Sequence, residues 1–189
     1  MPQRKGIEEE ILKGMYLLKA GEKGDKKVQL MGSGVILNEV IKGAELLKND
    51  FGVDADIWSV PSFNLLHRDA IEVERYNRLH PLEEAKLPFV TRQLQGYEGP
   101  VIASTDYIRS FADRIRAYIP NDYHVLGTDG FGRSDSRANL RDFFEVDSRH
   151  VAVAALSALA EQGKVGKEVV QQAIEKYGIQ TDTAPSWKR

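Results

Sequence analysis

The chain contains no cysteine, which removes disulfides, thiolate nucleophiles and sulfur-ligated metal from its chemistry. It has no run approaching the ~20 apolar residues of a membrane-spanning helix. Its opening residues, Met1-Pro2-Gln3-Arg4-Lys5-Gly6, lack the apolar core of a signal peptide. An excess of one charge sign is also missing. Twenty-six Lys plus Arg face 28 Asp plus Glu, for a formal net charge of −2, so no general pull towards nucleic acid or an anionic membrane is expected. The local basic cluster Arg109, Arg114 and Arg116 has acids interspersed and reads as a solvated helix face. Histidine is scarce, and the four at positions 67, 80, 124 and 150 show no metal-ligand spacing. These absences describe a cytoplasmic protein with no nucleic-acid partner and no membrane partner.

What is present suits a globular fold. The 189 residues are enough for one domain or slightly more, and 42% hydrophobic with 29% charged residues is ordinary for a packed chain. Ile7 to Lys13 reads as a short helix, and Met15-Tyr16-Leu17-Leu18 as a strand. The charged connection Ala20 to Lys27 is too short for a crossover helix, so the next strand, Val28 to Met31, is expected antiparallel to the first. Apolar residues at 36, 37, 40, 41, 44 and 47 predict a helix over Val35 to Lys48. Ala55 to Val60 is a strand ended by Pro61, and Ser62 can cap a helix reaching Leu79. After the short segment Phe89 to Leu94, Val101 to Ser104 is a strand, and Asp106 can cap a helix from Tyr107 to Ile119. Tyr123 to Leu126 is the last strand, followed by helices at Ala138–Phe144, Ser148–Gln162 and Lys167–Tyr177.

Strand–helix alternation implies a mostly parallel sheet covered on both faces. The reading is α/β: a three-layer α/β/α domain with a five-stranded, mostly parallel sheet whose first strand is antiparallel. Residues 1–25 form the entry segment, 26–180 the domain and 181–189 a frayed tail without periodicity.

The most informative stretch is Gly127-Thr128-Asp129-Gly130-Phe131-Gly132-Arg133-Ser134-Asp135-Ser136-Arg137, directly after the last strand. Loops at that position are where α/β proteins build sites. Other motifs fall away on inspection. Gly32-Ser33-Gly34 lacks the third glycine of a dinucleotide fingerprint, because Leu37 occupies its place. His67-Arg68-Asp69 superficially matches a kinase catalytic loop, but Ala70 and Glu74 break the pattern. Phe131 and Arg133 stand at ligand positions of a calcium loop, and no serine lies in a nucleophile elbow. His80, before Pro81, reads as a helix-end residue bonding a terminal carbonyl. No self-sufficient catalytic constellation results.

Several stretches taken together resemble one family. They are Leu30-Met31-Gly32-Ser33-Gly34, Ile57 to Phe63, Glu74-Arg75-Tyr76-Asn77-Arg78-Leu79-His80-Pro81, Ala103-Ser104-Thr105-Asp106-Tyr107 and Val125 to Arg137. In order and spacing the chain is similar, from Gly6 to about Ile179, to the C-terminal domain of bacterial homodimeric pyruvate dehydrogenases, the decarboxylating first component of the pyruvate dehydrogenase complex. Departures occur at Gln3-Arg4-Lys5-Gly6, Asn64-Leu65-Leu66 and Arg68-Asp69-Ala70.

The resemblance implies a transketolase-type C-terminal domain from a parent that decarboxylates pyruvate and acetylates lipoyl groups of dihydrolipoyl acetyltransferase. It also implies that thiamine diphosphate and magnesium sit between upstream domains. On that reading the chain itself binds no cofactor, carries no catalytic residue and is inactive alone. Its partners are the missing upstream domains and a homodimer partner, and Asp129, Arg133, Asp135 and Arg137 serve a domain or subunit contact. An internal Arg–Asp brace of the loop is the alternative role for those four residues. The alternative for the whole chain is a free-standing small-anion-binding or regulatory module, with its pocket above Gly32, Ser33 and the Asp129–Arg137 loop.

Overall fold

The structure, a computed structural model, describes residues 6–22 and 24–189; residues 1–5 and Lys23 of the entry segment lie outside the described residues. Five strands form one sheet: β1 (Tyr16–Lys19), β2 (Lys27–Gly32), β3 (Asp54–Ser59), β4 (Val101–Ser104) and β5 (Tyr123–Leu126). Their order is β1-β3-β2-β4-β5. β1 runs antiparallel to β3, and the other pairs are parallel. The antiparallel first strand was legible, and the pairing places it beside β3 rather than β2. Val28 to Gly32 and Val101 to Ser104 are buried throughout, as strands covered on both faces must be.

Among the described residues, eight α-helices flank the sheet or pack on one another: α1 (Glu8–Lys13), α2 (Leu37–Phe51), α3 (Phe63–Leu79), α4 (Phe89–Leu94), α5 (Arg109–Asp113), α6 (Arg137–Phe143), α7 (Ser148–Glu161) and α8 (Lys167–Tyr177). The residues that alternate along the strands divide the core in two. Met31, Trp58, Val101, Ala103 and Tyr123 pack with Phe63 and Leu66 of α3, Val90 of α4 and Ala112 of α5. Val28, Leu30, Ile57 and Ile102 pack with Val40 and Leu47 of α2 and Val151 and Leu156 of α7. Each such fully buried aliphatic side chain contributes on the order of 2 kcal/mol. Gly43 lets α2 approach α7, since a Cβ there would sit 2.9 Å from Val151 Cγ1.

Helix ends show where side chains won over periodicity. The Ser62 side chain accepts from Leu65 N–H at 3.2 Å, and Ser136 likewise caps α6 through Asn139 N–H. The segment expected as one helix from Tyr107 to Ile119 is instead the five-residue α5 and a 3₁₀ turn at Arg116–Tyr118. Asp106 does not cap it; Ile108 takes that position without a side-chain bond. The loop after β4 is tied to Thr105, whose Oγ1 accepts from Tyr107 N–H, and this delays the helix start. His80 Nδ1 lies 2.9 Å from the Tyr76 carbonyl, as its place at a helix end suggests. Residues 181–189 contain no α-helix or strand, only bends and a 3₁₀ turn at Ser186–Lys188.

The amino edge of the sheet is closed by a buried polar network. Asp56, fully buried, accepts from Gly21 N–H at 2.8 Å and Gln29 Nε2 at 2.8 Å, and pairs with Lys27 Nζ at 2.9 Å. Gln29 also donates to the Glu98 carbonyl and accepts from Trp58 Nε1 at 2.9 Å. Replacing Gln29→Leu would strand three polar groups at once, so a loss of roughly 3 kcal/mol is expected. A urea melt that moves by less than a third of that loss would show the network to be dispensable.

Candidate functional site

The strand order reverses between β2 and β4, where the connections turn to opposite sides, so the crevice at their carboxyl ends is the topological switch point. Gly32 pairs with Ser104 there, and Ser33 N–H donates to the Ser104 carbonyl at 3.2 Å. The Gly127–Arg137 loop leaves β5 at the same edge and is bonded to the β4 loop. Thr128 N–H donates to the Tyr107 carbonyl at 2.9 Å, and Thr128 Oγ1 donates to that of Asp106 at 2.8 Å.

The four loop residues singled out from the sequence have four separate environments. Asp129 accepts from both the backbone N–H of Arg109 (2.9 Å) and its Nε (2.5 Å). It therefore satisfies the first orphan N–H of α5 from twenty residues away, a capping role usually filled locally. The Arg133 guanidinium lies 4.1 Å from the Phe143 ring centroid, a cation–π contact. Asp135 accepts from Ser136 N–H and Asn139 Nδ2 at the start of α6. The side chain of Arg137, exposed at the first position of α6, has no hydrogen bond or ion pair among the described residues. None of the loop's own Arg–Asp pairs forms among the described residues; the loop is held from outside.

Part of that hold comes from the chain end. Ser186 Oγ donates to the Asp129 carbonyl at 2.6 Å, and a Cβ on Gly130 would lie 3.0 Å from Trp187 Cα. The Arg109 guanidinium, already paired with Asp129, lies 5.0 Å from the Trp187 ring centroid. Arg189 donates to the Phe143 carbonyl and lies 4.6 Å from the same Phe143 ring. Sequence reasoning placed Arg109 on a solvated helix face and found neither its pairing with Asp129 nor the tail contacts, because each joins partners far apart along the chain.

A second missed residue is Glu39, buried on the otherwise apolar face of α2. It accepts from Arg141 Nη1 at 2.8 Å and Ser148 N–H at 3.1 Å, fixing the α6–α7 corner behind the loop. A carboxylate next to Val40 on a buried stripe was the available signal. Asp147 caps α7 through Arg149 N–H and His150 N–H. Burial opposes its ionisation, but bonds from His150 and Arg149 outweigh that and hold its carboxyl at about 2, below the ordinary 3.8.

Asp142, Asp147 and His150 are the one group of three possible metal ligands among the described residues. Arg149 Nη2 already bridges the two carboxylates at 2.5 and 2.6 Å, so a guanidinium holds the place of a cation. A site whose two carboxylates are already spanned by a guanidinium does not fit magnesium. No helix is long and apolar enough to cross a membrane among the described residues.

Comparison with known proteins matches this architecture. A family model for the transketolase-like C-terminal domain covers residues 14–147. The pyruvate dehydrogenase E1 component of Pseudomonas aeruginosa is 58% identical over 177 residues, 93% of this chain and 20% of that protein. That of Escherichia coli K12 is 51% identical over 183 residues, 96% of this chain and again 20% of that protein. The chain thus spans about a fifth of the length of these relatives and aligns with their C-terminal region. Among solved structures, transketolase of Pichia stipitis superposes with a TM-score of 0.56 at 18% identity, over 87% of this chain and 21% of its own, which speaks to the fold alone.

Two outcomes follow from these contacts. Asp129→Ala should cost about 2 kcal/mol, through a lost cap and an unpaired Arg109, whereas Asp135→Ala should cost about 1 kcal/mol or less; thermal melts of the two variants check the order. Asp147, with its lowered folded-state value, should stabilise the fold fully above about pH 4. That contribution, about 2 kcal/mol, should vanish as pH falls from about 4 towards 2. Asp147→Asn keeps a capping oxygen but should flatten the acid limb of a pH–stability curve.

Proposed function

We propose that this chain, which belongs to the transketolase-like C-terminal domain family, is the structural and dimer-stabilising C-terminal domain of a thiamine-diphosphate-dependent pyruvate dehydrogenase. The parent decarboxylates pyruvate and transfers the acetyl group reductively to lipoyl groups of dihydrolipoyl acetyltransferase. The observation that carries this reading is the 58% identity over 93% of the chain to the C-terminal region of an E1 component. Thiamine diphosphate and magnesium belong to upstream domains of the parent, in keeping with an Asp142–Asp147–His150 cluster already spanned by Arg149.

Within that role the Asp129–Arg137 loop positions rather than reacts. Arg137 supports a contact reading: an unpartnered cation at a helix N-terminus opposes the helix dipole, at a cost of up to about 1 kcal/mol. An external carboxylate from a neighbouring domain or subunit would offset it. A free-standing small-anion module finds less support, because the Asp106 carboxylate oxygens sit 3.6 and 3.9 Å from where a Cβ on Gly34 would lie. They place negative charge at the mouth of the switch-point crevice.

The purified chain is expected to show no pyruvate turnover with thiamine diphosphate, magnesium and an artificial electron acceptor; turnover would overturn the domain reading. In the full-length parent, replacing Arg133 and Arg137 together by alanine should weaken dimerisation about tenfold, or ~1.4 kcal/mol, with secondary structure intact. Unchanged dimer dissociation and unchanged turnover would refute the contact role of the loop.

A further inference from the structure

We propose that the carboxyl edge of the sheet is the seat of the upstream part of the longer protein, through an apolar patch of Val35, Leu65, Tyr107, Ile108 and Phe131. This rests on the parent-domain reading above and names the surface that such a parent would use. The five side chains are 54, 40, 59, 46 and 89% exposed. One or more comes from the segment following each of the four parallel strands: Val35 after β2, Leu65 after β3, Tyr107 and Ile108 after β4, Phe131 after β5. The segments adjoin one another. Ser33, Asn64 and Tyr107 line a single cavity of about 270 Å³, and Thr128 bonds the β5 loop to Tyr107. Large apolar side chains gathered on one edge of a domain mark a contact face.

The occupant follows from how the chain enters. Gly14 adopts a φ of +102°, and a Cβ there would lie 2.7 Å from the Ser62 carbonyl at the β3–α3 turn. Tyr16, the first residue of β1, pairs with Ser59, the last residue of β3. The antiparallel strand therefore starts at the carboxyl edge, and the chain coming from α1 reaches the sheet beside the patch, where a Cβ on Gly14 would lie 3.3 Å from Leu65 Cβ. In the relatives about four-fifths of the protein lies outside the matched region. A second exposed pair, Leu79 and Leu82, lies at the far end of α3, roughly 20 Å from Leu65 by helix length, and is left free.

The absence of cysteine from this chain makes thiol probes of these positions readable by peptide mass spectrometry. Val35→Cys, Phe131→Cys and, as control, Leu82→Cys are made singly in the full-length protein that carries the chain, and maleimide labelling rates are measured relative to unfolded protein. The expected result is labelling at the two edge positions at least tenfold slower than at the control, independent of protein concentration. Edge positions that label as fast as the control overturn the proposal, and so does protection that disappears on dilution, which would make a second copy the occupant. Pyruvate turnover is assayed on the same samples. Turnover with unprotected edge positions removes this inference and leaves the function standing; protection without turnover does the reverse.

Discussion

A single buried carboxylate sets the frame on which everything else rests. Asp56 takes bonds from Gly21, Gln29 and Lys27, and Gln29 passes the connection to Trp58 and to the Glu98 carbonyl. The β1–β2 connection, β2, β3 and the approach to β4 are thereby tied at the amino edge of the sheet. A buried charge tolerates this only when its lone pairs are filled, and its neighbours cannot then shift without exposing it. Strand register and the antiparallel docking of β1 follow from that closure.

With the amino edge locked, the carboxyl edge is free to differ in chemistry. Its loops are held to one another by backbone bonds such as Ser33 to Ser104 and Thr128 to Tyr107. Side chains there are left outward: Phe131 and Tyr107 are exposed, and Arg137 is without a partner among the described residues. Asp129 is the exception, since it is consumed in capping α5 and orienting Arg109 against Trp187. This edge, with its loops bonded to one another and apolar and charged groups left outward, is the surface on which the proposed domain contact rests.

How far the sequence could be read depended on the range of the interaction involved. The strand runs Val28–Met31, Val101–Ser104 and Tyr123–Leu126 and the Ser62 cap were visible because hydrophobic alternation and capping act over a few residues. The helix expected from Tyr107 to Ile119 broke into α5 and a 3₁₀ turn because its start is governed by Thr105 and by Asp129, a residue in another loop. The loop was marked by its glycines and charges, but the four residues chosen within it do not act as a unit. Asp135 serves a local turn, and Arg133 leans on Phe143.

The sequence by itself determined the alternation of strands and helices, the antiparallel first strand, the absence of thiol chemistry and the family that the loop and its companion motifs resemble. Each of these is written in local periodicity or in residue identity. Only the tertiary structure decided that Asp129 belongs to Arg109, that Glu39 holds the α6–α7 corner, and that residues 186–189 lie against the loop. Those pairings join residues 20, 102 and 57 positions apart. Charge complementarity over such separations leaves no period in the chain and exists only once the sheet has brought the partners together.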